Sequence, residues 1–345
     1  MMNTTGTEMK AMILENIAKH HGIGSHCATT ALRTLTNAAG YPFSEAFCFG
    51  LSGGLGFTYQ KYTSVRYHFF TGRNECLEEG LVNVLGGKLL KGSSDNSAEA
   101  METAKSFIDK GLPVILEVDM MKLDYIKDKL NLKRPFHFGL HSLIMIGYDE
   151  ENAYVLDYMW WEPIKVPLSQ LEAARDSQDA PIKPSNRWKV IIFNNDGEID
   201  YEPMLREAIR GNVHKIMHPY AFKMGHDGLR VFRREFERWF GKMEPDLLRE
   251  NCYMMSVLFE RVGTGGGNFR RMYGQFLDEA NKILDLPCIS RASSIYSQSF
   301  RKWRTFAKLL DAAFESEDID KEPLLELTDE LIELERAGME ALAEV

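Results

Sequence analysis

The pattern of apolar and polar positions divides the chain into two regions. Over the first 200 residues, short apolar runs typical of β-strands are mixed with a few helical patterns. Strands are predicted at residues 66–70, 112–118, 140–147, 153–158 and 188–193. Because these strands do not alternate regularly with helices, they predict an antiparallel sheet in an α+β domain.

Helical patterns accompany these strands and then replace them. In the first region, helices are predicted from residue 25 or 26 to 39, from 44 onward, at 75–85 and at 97–111, with a glycine-rich loop at 52–57. After residue 200, amphipathic helices are predicted at 204–217, 228–242, 246–262, 269–284, 293–314 and 323–343. We therefore predict two domains, an α+β domain at 1–200 and an all-α domain at 201–345.

Composition narrows the class of protein. The chain has 345 residues, of which 44% are hydrophobic and 26% charged, and this excludes a disordered or collagen-like chain. Its net charge of −9 argues against a general nucleic-acid binder. No stretch is long and apolar enough to span a membrane, and residues 1–19 lack the features of a secretory signal. Five cysteines without a C-x-x-C pair indicate free thiols in a reducing compartment, so we expect a cytoplasmic protein.

Charge is distributed unevenly along the chain. Residues 1–200 carry 20 basic and 25 acidic residues, residues 201–310 carry 19 and 12, and residues 311–345 carry 2 and 13. The acidic segment has leucines at helical spacing, so it is expected to pack as an amphipathic helix whose charges are solvated or pair with the basic helices. The alternative is that the basic helices bind an acidic carrier partner.

A candidate nucleophile lies where a glycine-containing loop enters a helix. The stretch from Gly22 to Leu32 places Cys27 at this junction, where unpaired backbone N–H groups and the helix dipole favour a thiolate. The same N–H groups could stabilise an oxyanion after the sulfur attacks a carbonyl. The alternative is a buried structural cysteine.

A histidine and an aspartate complete a candidate catalytic triad. His141 begins an apolar strand, and after a hairpin turn Asp157 lies on the next predicted strand. An antiparallel pair can place Asp157 beside His141, so that the carboxylate orients the imidazole and His141 accepts a proton from Cys27. Cysteine, then histidine, then an acidic residue on the next strand is the order of papain-like sites.

Other histidines raise the question of a metal site. His137 and His141 are four residues apart, but on a strand this spacing separates them too far to share zinc, and no third ligand is evident. His20, His21 and His26 lie near Cys27 and could also hold zinc with it. We predict no metal, and we expect His21 or a neighbour to serve as a pocket or oxyanion group. His26 could instead point outward.

A glycine-rich turn at residues 263–267 precedes a helix in the second region. It lacks the Gly-Lys-Ser/Thr of a P-loop and no strand precedes it, so a tight interhelical turn is the simpler prediction. The alternative is contact with a substrate phosphate, for example the phosphopantetheine of an acyl carrier, with Arg270 and Arg271 nearby.

Several of these stretches resemble a known family. Residues 25–32, 40–46 and 50–57, followed by 141–149 and 155–157, resemble the N-terminal domain of the butirosin biosynthesis protein H family. Residues 263–267, 269–273 and 276–280 resemble the helical domain of unknown function that commonly follows it. The resemblance implies a papain-like fold with Cys27, His141 and Asp157 as the catalytic residues. The glutamine that precedes the cysteine in papain-like peptidases has no clear counterpart here.

The resemblance also implies acyl transfer from a carrier-protein thioester, or from coenzyme A, to a small amine in natural-product biosynthesis. No cofactor is expected, apart from phosphopantetheine as part of the donor, and a homodimer is possible. His21, His26, Glu45, Gly54 and Arg73 are the predicted substrate-binding residues. The alternatives are a cysteine peptidase or amidase, which the same triad could support, and a non-catalytic binding protein.

Overall fold

A computed structural model describes residues 11–61, 66–130, 137–194 and 199–345 of the protein. Part of the stretch assessed for a signal, residues 1–10, therefore lies outside the described residues. The strands are β1 (Met12–Ile13), β2 (Leu55–Gln60), β3 (Phe69–Arg73), β4 (Gly87–Gly92), β5 (Val114–Val118), β6 (His141–Tyr148), β7 (Asn152–Leu156), β8 (Ile164–Pro167) and β9 (Trp188–Phe193). The helices are α1 (Glu15–Lys19), α2 (Cys27–Ala38), α3 (Glu45–Leu51), α4 (Leu77–Leu85), α5 (Ser97–Ile108), α6 (Asp124–Leu130), α7 (Leu168–Arg175), α8 (Tyr201–Met217), α9 (Gly225–Lys242), α10 (Pro245–Glu260), α11 (Arg270–Leu284), α12 (Pro287–Glu315) and α13 (Glu322–Leu342).

The chain forms two compact units, which we call the sheet unit and the helical unit. The sheet unit consists of Met1–Pro42 and Gly87–Asn195, and the helical unit of Phe43–Gly86 and Asp196–Val345. These units differ from the predicted division at residue 200, because α3 packs against α11, and β2 and β3 pack against α9 and α10. These contacts join segments that are far apart in sequence, so local sequence patterns do not predict them.

The sheet unit is built on an antiparallel sheet in the order β4-β9-β5-β6-β7-β8, with β1 paired to β6. Every residue of β5 is buried, as are all residues of β6 except its last. Strands this apolar need cover on both faces, and α2 and α5 pack against β6 while α7 packs against β5. The predicted α+β architecture with an antiparallel sheet is confirmed.

The helical unit holds six long helices together with α3, α4 and the antiparallel pair β2–β3. Its core is rich in aromatic side chains. These include Phe57, Phe70, Phe232, Phe236, Phe259, Trp303 and Phe306. A buried ion pair between Arg270 and Glu335 crosses this core, with 2.7 Å between Nε and Oε1. Beyond residue 200, the described chain is helical, as predicted.

Some elements differ from the predictions. The stretch 52–57, predicted to be a loop, contributes Leu55–Phe57 to β2, because Leu55 and Phe57 are buried in the aromatic core. The strand predicted at 66–70 begins later, at Phe69. β4 and β8 were not predicted, since their short, lysine-containing sequences carry little apolar alternation.

The acidic segment forms α13 and is tied to the basic helices. Arg233 of α9 binds Asp329 at 2.9 Å, and Lys302 of α12 binds Glu330 at 2.5 Å. This pairing agrees with the prediction of an amphipathic helix whose charges partner the neighbouring helices. Among the described residues, no helix has both the length and the apolar character needed to cross a bilayer.

Candidate active site

Cys27 is the first residue of α2, as its position after a glycine-containing loop predicts. The helix begins here because His26 is extended, at φ −150° and ψ 139°, and caps the first turn by accepting the N–H of Thr29 on Nδ1. The Cys27 side chain is buried. Gly24 fixes the preceding loop by donating its N–H to the Tyr158 carbonyl at 2.8 Å.

His141 and Asp157 meet at one end of the hairpin formed by β6 and β7. His141 is the first residue of β6, and Asp157 follows directly after β7. His141 Nε2 donates to Asp157 Oδ2 at 2.7 Å, and both side chains are buried. Continuing the register from Ile144↔Leu156 would place Asp157 opposite Leu143, so the carboxylate reaches His141 diagonally and not straight across the ladder.

The thiol and the imidazole form a charge-stabilised pair. Burial alone raises the pKa of Cys27, but the electrostatic influence of the neighbouring His26 imidazole and the hydrogen bonds from His141 and His26 outweigh it and hold this pKa well below its usual value. Burial likewise lowers the pKa of His141, but the charge and hydrogen bond of Asp157, with the thiol, raise it to about 10. The directions of these shifts favour a thiolate facing an imidazolium. Because Asp157 occupies Nε2, Nδ1 is the ring nitrogen left for the sulfur.

One further side chain holds the Asp157 carboxylate in place. The hydroxyl of Tyr125, on α6, donates to Oδ2 at 2.9 Å. Burial, followed by the charge of Asp157, raises the pKa of Tyr125 well above its usual value, so this phenol stays a donor. Sequence reasoning missed Tyr125, because nothing in its local pattern links it to a residue 32 positions away.

His21 and His26 occupy different positions around the triad. His21 Nδ1 lies 3.0 Å from Thr34 Oγ1, and Nε2 donates to the carbonyls of Asp157 at 3.2 Å and Trp160 at 3.1 Å. His21 therefore ties α2 to the segment that carries Asp157. His26 does not point outward: it is buried, with Nε2 3.9 Å from Cys27 Sγ, because its ring folds back over the first turn of α2. Their predicted role in binding substrate stays a prediction.

The other three predicted substrate-binding residues belong to the helical unit. Glu45 is the first residue of α3, Gly54 is buried, and Arg73 ends β3 with Nη1 donating to the Asn74 carbonyl at 2.8 Å. A Cβ at Gly54 would lie 2.5 Å from the Phe49 carbonyl oxygen, so close packing already accounts for this glycine. Whether these residues bind substrate stays a prediction.

The remaining candidates, His137 and the glycine-rich turn with Arg270, make polar contacts with other residues of the protein. His137 Nδ1 lies 2.7 Å from Asp119 Oδ2, and in the described part of the chain no three His, Cys, Asp or Glu side chains cluster as metal ligands would. In the glycine-rich turn, Gly267 donates its N–H to Glu260 Oε2 at 2.8 Å, and the Arg270 guanidinium is buried against Glu335. These contacts are those of a tight interhelical turn.

Two family models match the chain. Residues 26–158 match the model of the butirosin biosynthesis protein H N-terminal domain, a span that includes all three triad residues. Residues 169–342, just over half of the chain, match a domain of unknown function, DUF4872. No curated protein matches the chain.

A solved structure from Bacillus anthracis, described as a candidate C39-like peptidase, also matches. It is 14% identical, with a TM-score of 0.37, over 54% of this chain and 98% of its own. A similarity this weak supports no argument about this chain. The family match indicates a papain-like, cysteine-dependent enzyme, and its candidate site joins a cysteine at a helix start, a histidine that begins a sheet strand and an aspartate that follows the next strand. The protein belongs to the family that joins a butirosin biosynthesis protein H N-terminal domain to DUF4872.

Proposed function

We propose that the protein transfers an acyl group from a thioester to an amine through an acyl-enzyme on Cys27. The observation that carries the proposal is the buried Cys27–His141–Asp157 arrangement, whose pKa shifts favour a ready thiolate. A thiolate exchanges readily with a thioester, because the bond formed and the bond broken are of the same kind. The family match adds support, since the matched model carries the name of a biosynthesis protein.

In the first half of the reaction, the Cys27 thiolate attacks the thioester carbonyl and a tetrahedral oxyanion forms. The oxyanion collapses, the bond between the carbonyl carbon and the donor sulfur breaks, and the His141 imidazolium protonates the departing thiolate. The products are the acyl-enzyme and the free donor thiol. Asp157 keeps the ring oriented through the 2.7 Å hydrogen bond to Nε2.

In the second half, a neutral amine attacks the acyl-enzyme while His141 accepts a proton from its nitrogen. The bond to Cys27 sulfur then breaks, the thiolate returns facing the imidazolium, and an amide leaves. This step runs downhill because an amide is more stable than a thioester. The reaction needs no cofactor beyond the thioester donor, for which a carrier protein and coenzyme A are the two candidates, and the products fit natural-product biosynthesis.

Intact-mass measurement tests the covalent route. The protein is incubated with acetyl-coenzyme A, with an acylated carrier protein and with an acyl N-acetylcysteamine thioester, and we expect the acyl mass to appear on wild type. Cys27→Ala removes the nucleophile and should abolish the adduct, while Cys288→Ala, which removes another buried cysteine outside the triad, should leave it intact. Absence of an adduct on wild type with every donor, or an undiminished adduct on Cys27→Ala, contradicts the proposal.

The fate of the adduct separates transfer from hydrolysis. Addition of a panel of small amines, including an aminoglycoside, should discharge the acyl-enzyme and yield an amide that mass spectrometry detects. Discharge to water alone, together with turnover of a peptide panel, would assign the site to a peptidase or amidase.

A further inference from the structure

The sulfur of Cys27 lies beside a second imidazole that the mechanism above does not use. His26 Nε2 is 3.9 Å from Cys27 Sγ, and the His26 side chain is buried, with 2% of the residue exposed. The two residues are adjacent in the chain, but His26 is extended and its ring returns over the helix start. What the His26 ring can do beside the sulfur depends on which of its two nitrogens carries the proton.

The helix cap favours one tautomer of His26. Nδ1 accepts the backbone N–H of Thr29 at 3.3 Å and lies 3.2 Å from the Thr29 hydroxyl, which can donate to the same nitrogen, so we assign a lone pair, and not a proton, to Nδ1. The neutral ring must therefore carry its proton on Nε2, the nitrogen that faces the sulfur.

We propose that the Nε2–H of His26 and the backbone N–H of Cys27 form the oxyanion hole of this site. Cys27 is the first residue of α2, where a backbone N–H has no acceptor within the helix. The gap of 3.9 Å between Nε2 and Sγ is long for a bond to sulfur itself. It leaves room for an oxygen on the carbon that the sulfur has attacked, and donors act on such an oxygen at about 2.7–3.1 Å.

His21, the other histidine in this region, is engaged elsewhere. Its Nε2 faces the carbonyl oxygens of Asp157 and Trp160, and its Nδ1 faces the Thr34 hydroxyl. Among the histidines that precede the nucleophile, His26 is thus the one whose N–H is directed at the reacting atom. The inference rests on the proposed acyl chemistry, because an oxyanion forms only when the thiolate attacks a carbonyl.

The test compares a reaction that forms an oxyanion with one that does not. Acylation by p-nitrophenyl acetate or by an acetyl N-acetylcysteamine thioester passes through an oxyanion, and single-turnover kinetics measure its rate. Alkylation of Cys27 by iodoacetamide displaces iodide at a saturated carbon and needs no oxyanion donor. Each rate is taken on the plateau of its own pH profile, so that a changed thiolate fraction does not contribute.

The informative variant is His26→Ser, because serine retains an N-cap acceptor for Thr29 but has no N–H near the sulfur. We expect acylation to slow by about a hundredfold to a thousandfold while plateau alkylation stays at the wild-type rate. His20→Ser, the same change at an exposed histidine of the sheet unit, should alter neither rate. If His26→Ser does not fold, as judged by thermal melting, His26→Thr supplies another N-cap acceptor without an N–H group.

Three outcomes overturn the inference: an unchanged acylation rate in the folded variant, an equal loss in acylation and alkylation, or an equal loss in His20→Ser. The proposed function fails separately. If wild type is alkylated and reacts with the p-nitrophenyl ester but not with any thioester, the thioester donor is wrong, while the ester still reports on the oxyanion hole.

Discussion

His141 Nε2 and Asp157 Oδ2 lie 2.7 Å apart, although the strand register does not place the two residues opposite each other. The contact is possible because Asp157 follows the last residue of β7 and its side chain reaches diagonally toward the start of β6. Tyr125 and His21 hold Asp157 in this position through its side chain and its backbone carbonyl. The orientation of the His141 imidazole therefore depends on a carboxylate that the sheet ladder alone does not position.

Replacement of this carboxylate tests its role. In Asp157→Asn, the charge that raises the pKa of His141 is lost, so the imidazolium becomes less stable and the ring can turn. We expect acylation of Cys27 to slow by about two to four orders of magnitude. Single-turnover acylation measures this loss, and Asp95→Asn, at an exposed position of the same unit, should retain the wild-type rate. A rate within a few-fold of wild type would exclude Asp157 from the triad.

The pH dependence of Cys27 alkylation follows from the shifted pKa values. A lowered cysteine pKa means that the thiolate persists as the pH falls below the usual titration range of a thiol. A raised histidine pKa, to about 10, means that the imidazolium persists up to that pH and that the ion pair is lost above it. Iodoacetamide should therefore label Cys27 at pH 6 at nearly its rate at pH 8. Glutathione, measured in parallel, should slow steeply over the same interval.

The exposed Cys76 would also react with iodoacetamide, so peptide mapping is used to measure the label on Cys27 alone. A Cys27 profile that follows glutathione would contradict the ion pair.

Tyr125→Phe removes one donor to Asp157 without changing the packing of the ring. The buried Oδ2 then keeps only His141, so the free energy of unfolding should fall by about 1–3 kcal/mol. Urea denaturation monitored by circular dichroism measures this change. Tyr220→Phe, at a tyrosine that is 86% exposed, makes the same chemical change at the surface and should have no effect. Equal stability of the two variants would show that the Tyr125 hydroxyl does not support the carboxylate.

Removal of one partner of the buried ion pair should strongly destabilise the helical unit. In Glu335→Gln, the Arg270 guanidinium loses its charge partner in a core where Ser299 and Trp303 also donate to Glu335. We expect a loss of about 3–5 kcal/mol in the free energy of unfolding, because a buried charge is left uncompensated. Glu333→Gln, which breaks the exposed pair with Arg336, is the matched control and should change little. Similar losses in both variants would contradict the difference in burial.

The positions of Cys27 and His141 in the fold were easier to predict than their surroundings. The position of Cys27 at the start of α2 and the strand that His141 begins follow from local signals, a glycine-containing loop before an apolar helix and an apolar run that ends in a turn. The sequence left the helix start open between Ser25 and His26, and it did not predict that the His26 ring caps the helix, because histidine is not among the strong N-cap residues. Its burial depends on the ring folding over the first turn, which no sequence period encodes.

The division of the chain into units was also not predictable from local patterns. Residues 43–86 contain helices and strands like those of the sheet unit, yet they pack with the helices that follow residue 200. Phe57 and Phe70 are apolar in either setting, and only their partners, among them Phe232 and Phe259, decide to which core they belong.

The bonds that join the loop before Cys27 to the segment after β7 have a mechanical consequence. Gly24 is hydrogen-bonded to Tyr158, and His21 to Asp157 and Trp160. The loop before Cys27 and the segment that carries Asp157 are therefore connected at several points. A substrate that pushes on either segment must move both together. These hydrogen bonds therefore keep the distances between the sulfur, the imidazole and the carboxylate constant when either segment is displaced. Any opening of the sheet unit to admit a bulky acyl group has to occur in segments that these hydrogen bonds do not connect.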